Sequence, residues 1–488
     1  MEFYGAIDQG TTSTRFLVFD SEDNLVAIHQ VEIEQILPDP GHVEHNPEEI
    51  WESVLTCVNE VSKTIDLTLL TSIGITNQRE TTVAWSKSTG KPLYNAIVWQ
   101  DTRTQSICDE ISKFVDLQED FAKTGLPVAT YFSLSKIIWL IRNVIQVNEA
   151  LKNDDVCFGT IDSWLLYKLT NKHLTDVTNA SRTLMYDLHS LTWNQNILDH
   201  FQIPLDSLPV VKPSLSIYSE ETDLFGKVPI AAVLGDQQAS LFGHKSFKNG
   251  DSKNTYGTGC FLLSNTGNEI VSSKNGLLTT IAYQIENEQP VYALEGSVAI
   301  AGASVQWLRD NIGLIKTSEE IEKLALETKD NGDVYFVPAF SGLFSPHWDP
   351  TARGTLVGMS RHSNKSHIAR AVLEAVAYQT NELLNAIATD LGEKLSIISV
   401  DGGMVNNNLL MQFQADISQI QVQSHKISEI TAYGAGLASY VHIKKIPLDS
   451  ISRSDSKSLS WNPNMNDNIR NNYLSKWDKA VEKAKNWI

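Results

Sequence analysis

A polar turn between two apolar runs at the start of the chain constrains the fold more than any other feature. The apolar runs are residues 3–7 and 16–19, and the turn reads Asp8-Gln9-Gly10-Thr11-Thr12-Ser13-Thr14-Arg15. We predict a strand, a hydroxyl-rich turn and a second strand. Backbone N–H groups beside a glycine, several hydroxyls and Arg15 are typical of a turn that binds phosphate. Asp8 can hold Mg²⁺ through water.

A second turn of this kind lies about half a chain away. It reads Asn254-Thr255-Tyr256-Gly257-Thr258-Gly259-Cys260-Phe261-Leu262 in a chain of 488 residues. One such turn is equally consistent with an ordinary surface hairpin. Two copies, one in each half, favour two similar domains that hold a nucleotide's phosphates across a cleft, as a kinase that closes on its substrate requires. The lysine of a P-loop and the glycine spacing of a dinucleotide fingerprint are both missing.

Helix and strand signals alternate in both halves. Asn46-Pro47 starts an amphipathic helix that leads to a strand at residues 72–76, and a helix ending near Gly392 leads to a strand at residues 395–400. Because the chain is too long for one core, we predict an α/β fold of two similar domains with mixed sheets around a cleft. The polar turn at residues 248–251 divides them into residues 1–250 and 251–488.

The last segment carries apolar residues at helical spacing. They are Tyr473, Leu474, Trp477, Val481, Ala484 and Trp487, with lysines and acidic residues between them. We predict a C-terminal helix packed on the second domain. Binding to a membrane surface is the less favoured alternative, because the polar face is partly acidic.

Composition narrows the functional class. The formal net charge is −19 and the largest basic cluster is Lys444-Lys445, so we expect neither a nucleic-acid nor a membrane partner. No apolar run approaches the roughly 20 residues of a membrane span. The first strand begins at once, so we expect a cytoplasmic protein without a signal peptide. The scattered cysteines predict neither disulfides nor a zinc site; they are Cys57, Cys108, Cys157 and Cys260.

Two charged residues follow the strand at residues 72–76. Neighbours on a strand point to opposite faces, so Arg79 and Glu80 can share a ligand only if the chain has turned. A guanidinium fork beside an ionised acceptor suits the adjacent hydroxyls of a polyol. The alternative is an exposed ion pair of little consequence.

Asp236 follows the apolar run of residues 228–234 at the start of a predicted helix. A carboxylate there can accept the proton of a hydroxyl that attacks ATP. A helix N-cap is the equally weighted alternative. Gln237 either orients the substrate or solvates the turn.

Aromatic residues are candidates for covering the carbon side of a polyol, because ring faces match carbon and exclude water. The candidates are Trp99, Tyr131 and Phe261, and the alternative is that they belong to the core, as most of the 11 tryptophans do.

Glycines in the second half point to the nucleoside. Adenine or ribose can lie against the bare turn Asp401-Gly402-Gly403, with Asn407 nearby, although a purely structural turn is equally plausible. Gly302 and Gln306 start a further helix near the nucleotide.

These segments together resemble the glycerol kinases of the FGGY sugar kinase family, whose two domains share the actin and Hsp70 (ribonuclease H-like) fold. The resemblance lies in residues 8–15, 74–82, 95–100, 235–240, 254–261, 275–282, 294–296, 301–310 and 401–403. It implies phosphorylation of glycerol with ATP as co-substrate, a need for Mg²⁺, and a homo-oligomer, either a dimer or a tetramer. The alternatives are a kinase of another sugar, such as xylulose or gluconate, and an ATP-switched protein of the actin or Hsp70 type.

The resemblance also implies a role for each candidate residue. Asp236 is the base and, with Asp8 acting through water, a ligand of Mg²⁺. The substrate residues are Arg79, Glu80, Trp99, Tyr131, Asp236, Gln237 and Phe261. The nucleotide residues are Thr11, Thr12, Ser13, Arg15, Thr258, Gly302, Gln306, Gly403 and Asn407.

Two regulatory features of some family members have no counterpart in the sequence. Only Gly226-Lys227 remains of a glycine-rich basic loop that binds an inhibitory sugar bisphosphate. No histidine lies between His200 and His244, where other members carry a histidine that becomes phosphorylated. We expect neither kind of regulation.

Overall fold

The computed structural model describes residues 2–340, 342–451 and 458–488. In its first half a six-stranded mixed sheet has the order β5-β6-β4-β1-β2-β3. Strand β1 pairs antiparallel with β2 and parallel with β4. The strands are β1 (Phe3–Gln9), β2 (Ser13–Asp20), β3 (Leu25–Glu32), β4 (Leu70–Asn77), β5 (Leu215–Ser219) and β6 (Ile230–Gly235).

The second half repeats this arrangement in a seven-stranded sheet of order β9-β10-β8-β7-β11-β12-β13 within the described residues. Here β7 pairs antiparallel with β8 and parallel with β11, as β1 does with β2 and β4. The predicted pair of similar α/β domains is therefore confirmed. The strands are β7 (Ser252–Tyr256), β8 (Cys260–Gly267), β9 (Leu278–Tyr283), β10 (Val291–Val298), β11 (Ile397–Asp401), β12 (Gln421–Ser424) and β13 (Ser460–Trp461).

Helices cover the sheets, and short strand pairs brace the connections. The helices are α1 (Pro47–Ser62), α2 (Gln105–Ile111), α3 (Gln118–Lys123), α4 (Ser133–Asn143), α5 (Ile145–Lys152), α6 (Ile161–Thr170), α7 (Val177–Ala180), α8 (Gln195–Phe201), α9 (Asp236–Gly243), α10 (Gly302–Asp310), α11 (Glu320–Ala325), α12 (Lys365–Leu391), α13 (Asn408–Ser418), α14 (Ile430–Lys444) and α15 (Asp467–Ala484). The strand pairs are Glu44–His45 with Ala96–Ile97, Val83–Ser86 with Val156–Gly159, Leu174–Asp176 with Val210–Lys212, Tyr186–Asp187 with Thr192–Trp193, and Tyr335–Val337 with Thr355–Val357.

Local sequence signals explain where several elements start and stop. The Asn46 side chain accepts a hydrogen bond of 3.0 Å from the backbone of Glu48, and Pro47 takes the first helical position of α1. Helix α12 ends at Gly392, whose φ of 70° suits glycine. The strands predicted at residues 72–76 and 395–400 are present as β4 and β11, each shifted or lengthened by one or two residues.

The first hairpin has a shorter turn than the sequence indicates. Asp8 pairs with Arg15 and Gln9 with Thr14, so the strands extend into the polar segment and only residues 10–12 connect them. The backbone N–H of Gly10 donates to the carbonyl of Ser13 at 2.9 Å and closes the turn. The predicted eight-residue turn is therefore wrong in length, because backbone pairing continues regardless of side-chain polarity.

Helix α14 belongs to the second half of the chain but packs on the first sheet. The Oγ atoms of Ser439 and Ser72 lie 3.0 Å apart. A Cβ on Gly434 would overlap the backbone carbonyl of Ala239 in α9, so the close approach of α14 to α9 requires glycine there. This contact fixes the first sheet against the second half of the chain.

Helix α15 packs on the second half through its apolar face. Trp477 is buried and stacks on Tyr378 with a centroid distance of 4.9 Å. Trp487 lies beyond the end of the helix and is 70% exposed, so assigning it to the packed face was wrong. All four cysteines are buried and form no disulfide. Among the described residues, no helix combines the length and apolar character that crossing a bilayer needs.

Candidate active site

The end of the first hairpin combines hydroxyls with a held guanidinium. Thr11 and Thr12 lie on the turn, and Ser13 begins β2. The Arg15 Nη1 atom lies 3.6 Å from Asp8 Oδ2 and donates to Glu429 Oε2 at 2.9 Å. Arg15 is thus fixed at the mouth of the turn, where a phosphate can be bound through the backbone and side chains together.

The structure brings the three candidate aromatic residues together beside this turn. The Trp99 ring packs edge-on against Tyr131 at 5.6 Å and Phe261 at 6.1 Å between centroids. All three are only partly buried, which favours the wall over the core alternative, although Tyr131 also packs against a cluster of buried apolar residues. Trp99 Nε1 also donates to Thr11 Oγ1 at 3.0 Å, which joins the aromatic wall to the first hairpin.

The second hairpin is hydrogen-bonded to the start of α10. The backbone carbonyl of Thr258 accepts from the N–H of Ala301 at 2.9 Å, and the Gly302 N–H donates to the Gly257 carbonyl at 3.0 Å. A Cβ on Gly302 would lie 2.6 Å from that carbonyl oxygen, so only glycine permits the approach. Gln306 follows one helical turn later, on the side of α10 that Gly302 occupies.

Gly403 and Asn407 lie where β11 passes into α13. Residues Gly403–Asn406 form a 3₁₀ turn, and Asn407 caps α13 by accepting from the Leu410 N–H at 2.9 Å. The cap uses the side-chain oxygen of Asn407, which leaves its NH₂ group available to a ligand. A structural role for this turn is therefore compatible with a role in binding adenine or ribose.

A buried network of alternating charges lies behind the aromatic wall. Arg79 makes a two-pronged contact with Glu295, with Nη1 to Oε2 at 2.6 Å and Nη2 to Oε1 at 2.9 Å. Glu295 Oε1 also accepts from Arg182 Nη2 at 3.1 Å, and Arg182 Nε donates to Glu80 Oε1 at 2.6 Å. The alternative of an exposed Arg79–Glu80 pair is wrong, because both residues are buried and neither pairs with the other.

The backbone turn that the sequence required is present after β4. The strand ends at Asn77, and Glu80 has a φ of 60°. Positive φ is uncommon for a residue other than glycine and costs backbone energy that the surrounding contacts must offset. This conformation lets Arg79 and Glu80 enter one network instead of pointing to opposite faces.

Burial and neighbouring charge act differently on the two carboxylates of this network. Burial raises the pKa of Glu80, although Arg182 and Arg79 oppose the shift. Glu295 is equally buried, but Arg182 and Arg79 outweigh the cost of desolvation and lower its pKa to about 2. Glu295 is therefore ionised at any physiological pH.

Asp236 is the first residue of α9 and lies at the end of this network. Its Oδ1 atom is 3.3 Å from Arg79 Nε and accepts from the Gln237 backbone N–H at 2.7 Å. Burial raises its pKa, while Arg79, Lys253 and hydrogen bonds from the backbone and side chain of Gln237 oppose the rise. Gly235 takes the N-cap position, so the alternative of Asp236 as N-cap is wrong. A side chain that is 28% exposed remains open to a ligand.

Asp8 and Asp236 supply oxygen ligands of the kind that Mg²⁺ prefers. Burial raises the pKa of Asp8 to about 7, and the charges of Asp236 and Glu429 add to the rise. Bringing a divalent cation close to two desolvated carboxylates would stabilise their ionised forms. In the part of the chain that is described, no group of three or more His, Cys, Asp or Glu residues is arranged for metal binding.

Sequence reasoning missed Arg182, Glu295 and Lys253. Neither Arg182 nor Glu295 was assigned a role, although Glu295 lies in the segment of residues 294–296 that carries part of the family resemblance, and both meet Arg79 and Glu80 only in the folded chain. Lys253 could have been singled out from the sequence, because it is a lysine directly before the second hairpin. In the structure it lies on a buried strand and is itself fully buried. Buried lysines are rare unless paired.

Two family models cover most of the chain. Residues 3–243 match the N-terminal domain, and residues 252–442 the C-terminal domain, of the FGGY family of carbohydrate kinases. The chain belongs to the FGGY family of carbohydrate kinases. Phosphoryl transfer with ATP as co-substrate follows from membership of this kinase family.

Individual family members match over their full lengths. A glycerol kinase of Leifsonia xyli subsp. xyli is 50% identical over 100% of this chain and 98% of its own. One of Chloroflexus aggregans is 49% identical over 100% and 99%. The crystal structure of Plasmodium falciparum glycerol kinase with ADP matches with a TM-score of 0.91 and 39% identity over 99% and 98%. Gluconate kinase from Lactobacillus acidophilus, at 21% identity and a TM-score of 0.87 over 99% and 97%, shares the fold.

Proposed function

We propose that this protein transfers the γ-phosphoryl group of ATP to a terminal hydroxyl of glycerol, giving sn-glycerol 3-phosphate and ADP. The observation that carries the proposal is the buried charge network, which reaches Asp236 through Arg79 and the aromatic wall through Arg182, whose guanidinium lies 5.6 Å from the centre of the Tyr131 ring. Fixed donors and acceptors suit adjacent hydroxyls, and the rings suit the carbons. Full-length relatives named glycerol kinase support the same substrate.

The substrate residues divide by the chemistry they offer. Hydrogen bonds to the glycerol hydroxyls come from Arg79, Glu80, Tyr131, Asp236 and Gln237. Trp99 and Phe261 cover the carbon atoms. Because Arg79 and Glu80 are already held by Glu295 and Arg182, their groups are oriented before the substrate arrives.

The nucleotide lies between the two hairpins in this proposal. Its phosphates are bound by Thr11, Thr12, Ser13 and Arg15 on one side and by Thr258, Gly302 and Gln306 on the other. Gly403 and Asn407 hold the adenosine. The hydrogen bonds between the start of α10 and the second hairpin support the second half of this assignment, because they join Thr258 and Gly302 into one surface.

Asp236 acts as the general base. Its carboxylate accepts the proton of the attacking hydroxyl while the oxygen of glycerol forms a bond to the γ-phosphorus and the bond from that phosphorus to the β,γ-bridging oxygen breaks, releasing ADP. Asp8, through water, and Asp236 would hold Mg²⁺, which when bound neutralises charge on the phosphates. Arg15 adds fixed positive charge, and the aromatic wall excludes water.

The organisation of the enzyme completes the proposal. Residues 1–250 form the domain for substrate and phosphate, and residues 251–488 form the nucleotide domain that ends in the packed helix α15. We expect a cytoplasmic homo-oligomer, a dimer or a tetramer, without nucleic-acid or membrane partners. The net charge of −19 supports the last expectation.

An assay of ADP release tests the substrate. Purified protein with Mg-ATP receives glycerol, xylulose, ribulose, gluconate, erythritol or no acceptor in parallel reactions, and the product is identified by mass. We expect rapid release with glycerol alone. Turnover confined to a larger sugar would overturn the substrate but keep the base, whereas slow hydrolysis regardless of acceptor would indicate an ATP-switched protein.

A further inference from the structure

Lys253 links the two halves of the chain directly behind the proposed base. It lies on β7 with no exposed surface, and its Nζ atom donates to Gln237 Oε1 on α9 and to Thr255 Oγ1 at 2.9 Å. Gln237 follows Asp236 in the first half, whereas Thr255 leads into the second hairpin. One ammonium group therefore holds both.

The Lys253 ammonium determines the orientation of the Gln237 side-chain amide. Lysine has only donors, so its partner on Gln237 is the side-chain oxygen, and the NH₂ group must point elsewhere. The Gln237 backbone N–H donates to Asp236 Oδ1 at 2.7 Å, and the Gln237 side chain also opposes the rise in the pKa of that carboxyl. Gln237 therefore lies between the Lys253 ammonium and the Asp236 carboxylate.

Stability alone does not account for a lysine at this place. Burial lowers its pKa to about 8, even though the charges of Asp401 and Asp236 favour the ammonium form. Holding an ammonium in a desolvated place costs free energy that a neutral hydrogen-bond donor would not cost to the same extent. A neutral donor could satisfy the same two acceptors, so the ammonium points to a role in the reaction.

We propose that Lys253 is a positioning residue that acts through Gln237 to hold Asp236 in its productive orientation relative to the second hairpin. The inference rests on the proposed function, because it assigns Asp236 as the base. It adds a residue that the sequence motifs and the contacts of substrate and nucleotide leave without a role.

Steady-state kinetics of Lys253→Met, Gln237→Leu and the double variant test this proposal. We expect Lys253→Met to lower kcat by about 10- to 100-fold, the usual effect of a small misplacement of a catalytic group. The KM for ATP should change by less than about threefold, since uniform nucleotide binding is kept. In the double variant, Gln237→Leu should lower kcat little further, because residues that act as one unit are not additive. The lost hydrogen bond to glycerol should appear instead as a higher KM for glycerol.

The matched control is Lys212→Met. Lys212 is a partly buried lysine over the Tyr218 ring at 5.1 Å, and it contacts none of the proposed site residues. Its replacement should leave kcat unchanged. Urea-induced unfolding of each variant, followed by tryptophan fluorescence, checks that kinetics are measured on folded protein; we expect Lys253→Met to unfold at a somewhat lower urea concentration than the parent, because Gln237 and Thr255 lose their donor.

Each result of these measurements supports or overturns the positioning role of Lys253. The positioning role is overturned if Lys253→Met keeps the parental kcat. It is also overturned if the decreases in kcat of the two single variants multiply in the double variant. Lys253→Gln, which keeps a polar group at this place, is made alongside; if neither variant folds, the lysine serves folding and the proposal fails. If the parent enzyme shows no glycerol-dependent ADP release, the proposed function is refuted instead. The parent is assayed beside the variants, so the two failures are distinguished.

Discussion

Replacing Glu295 by glutamine should destabilise the protein strongly, because it leaves two buried guanidinium groups without their shared anion. The carboxylate has no exposed surface and accepts three hydrogen bonds from Arg79 and Arg182. Glutamine keeps the size but removes the charge and turns an NH₂ group towards one of the arginines. Breaking a buried ion pair in this way costs about 3–5 kcal/mol.

The pKa of Glu295, which the same two arginines lower, gives a second figure of similar size. It falls from the ordinary 4.5 to about 2 on folding, and at about 1.4 kcal/mol per unit this corresponds to about 3 kcal/mol. Because the folded-state pKa is the lower one, the contribution is fully present above about pH 4.5 and is lost as the pH falls towards 2. The difference between parent and Glu295→Gln should therefore shrink below about pH 4.5.

Urea-induced unfolding at pH 7 and pH 3.5 measures this, with Glu110→Gln as the matched control. Glu110 makes the same two-pronged contact with Arg142, at 2.7 and 2.9 Å, but both side chains are almost half exposed. Its loss should cost under about 1 kcal/mol. If the two variants unfold at the same urea concentration, the buried network contributes no net stability and the reasoning fails.

Three further changes probe the site. Asp236→Asn should cut turnover by about 10² to 10⁴ with little change in glycerol KM, the range for loss of a general base; near-parental kcat would remove that role. Arg79→Lys keeps the charge but loses the fork, and should raise glycerol KM about 10-fold or more; an unchanged saturation curve would contradict it. Gly302→Ala places a methyl group 2.6 Å from the Gly257 carbonyl and should raise the KM for ATP while sparing that for glycerol, measured by varying each substrate in turn.

The fold could be predicted because its signals are local and occur twice. Each hairpin that contains glycine and threonine predicts a pair of strands. The caps predict where α1 begins, at Asn46, and where α12 ends, at Gly392. The length of the first turn could not be predicted in this way. Backbone pairing of Asp8 with Arg15 depends on strand register, which side-chain polarity alone does not report.

The site was predictable where one short segment carries both the position and the chemistry. Arg79, Glu80 and Asp236 each follow an apolar strand, and the ends of neighbouring strands meet at one edge of the sheet. Arg182 and Glu295 do not directly follow an apolar strand in this way. They reach Glu80 and Arg79 across 102 and 216 residues of sequence, and only tertiary structure brings together groups so far apart.

Glu295 comes from the second half of the chain, whereas Arg79, Glu80 and Arg182 come from the first. The proposed polyol site is thus complete only when β10 of the second sheet lies against the first half. Such a pocket meets hydroxyl groups with donors and acceptors that are already oriented, because every charge in it is held by another charge. If the proposed function holds, a ligand that lacks a hydroxyl leaves one of these desolvated groups unpaired, and we expect the cost of that lost bond, more than any gain from the bonds made, to set the discrimination among small polyols.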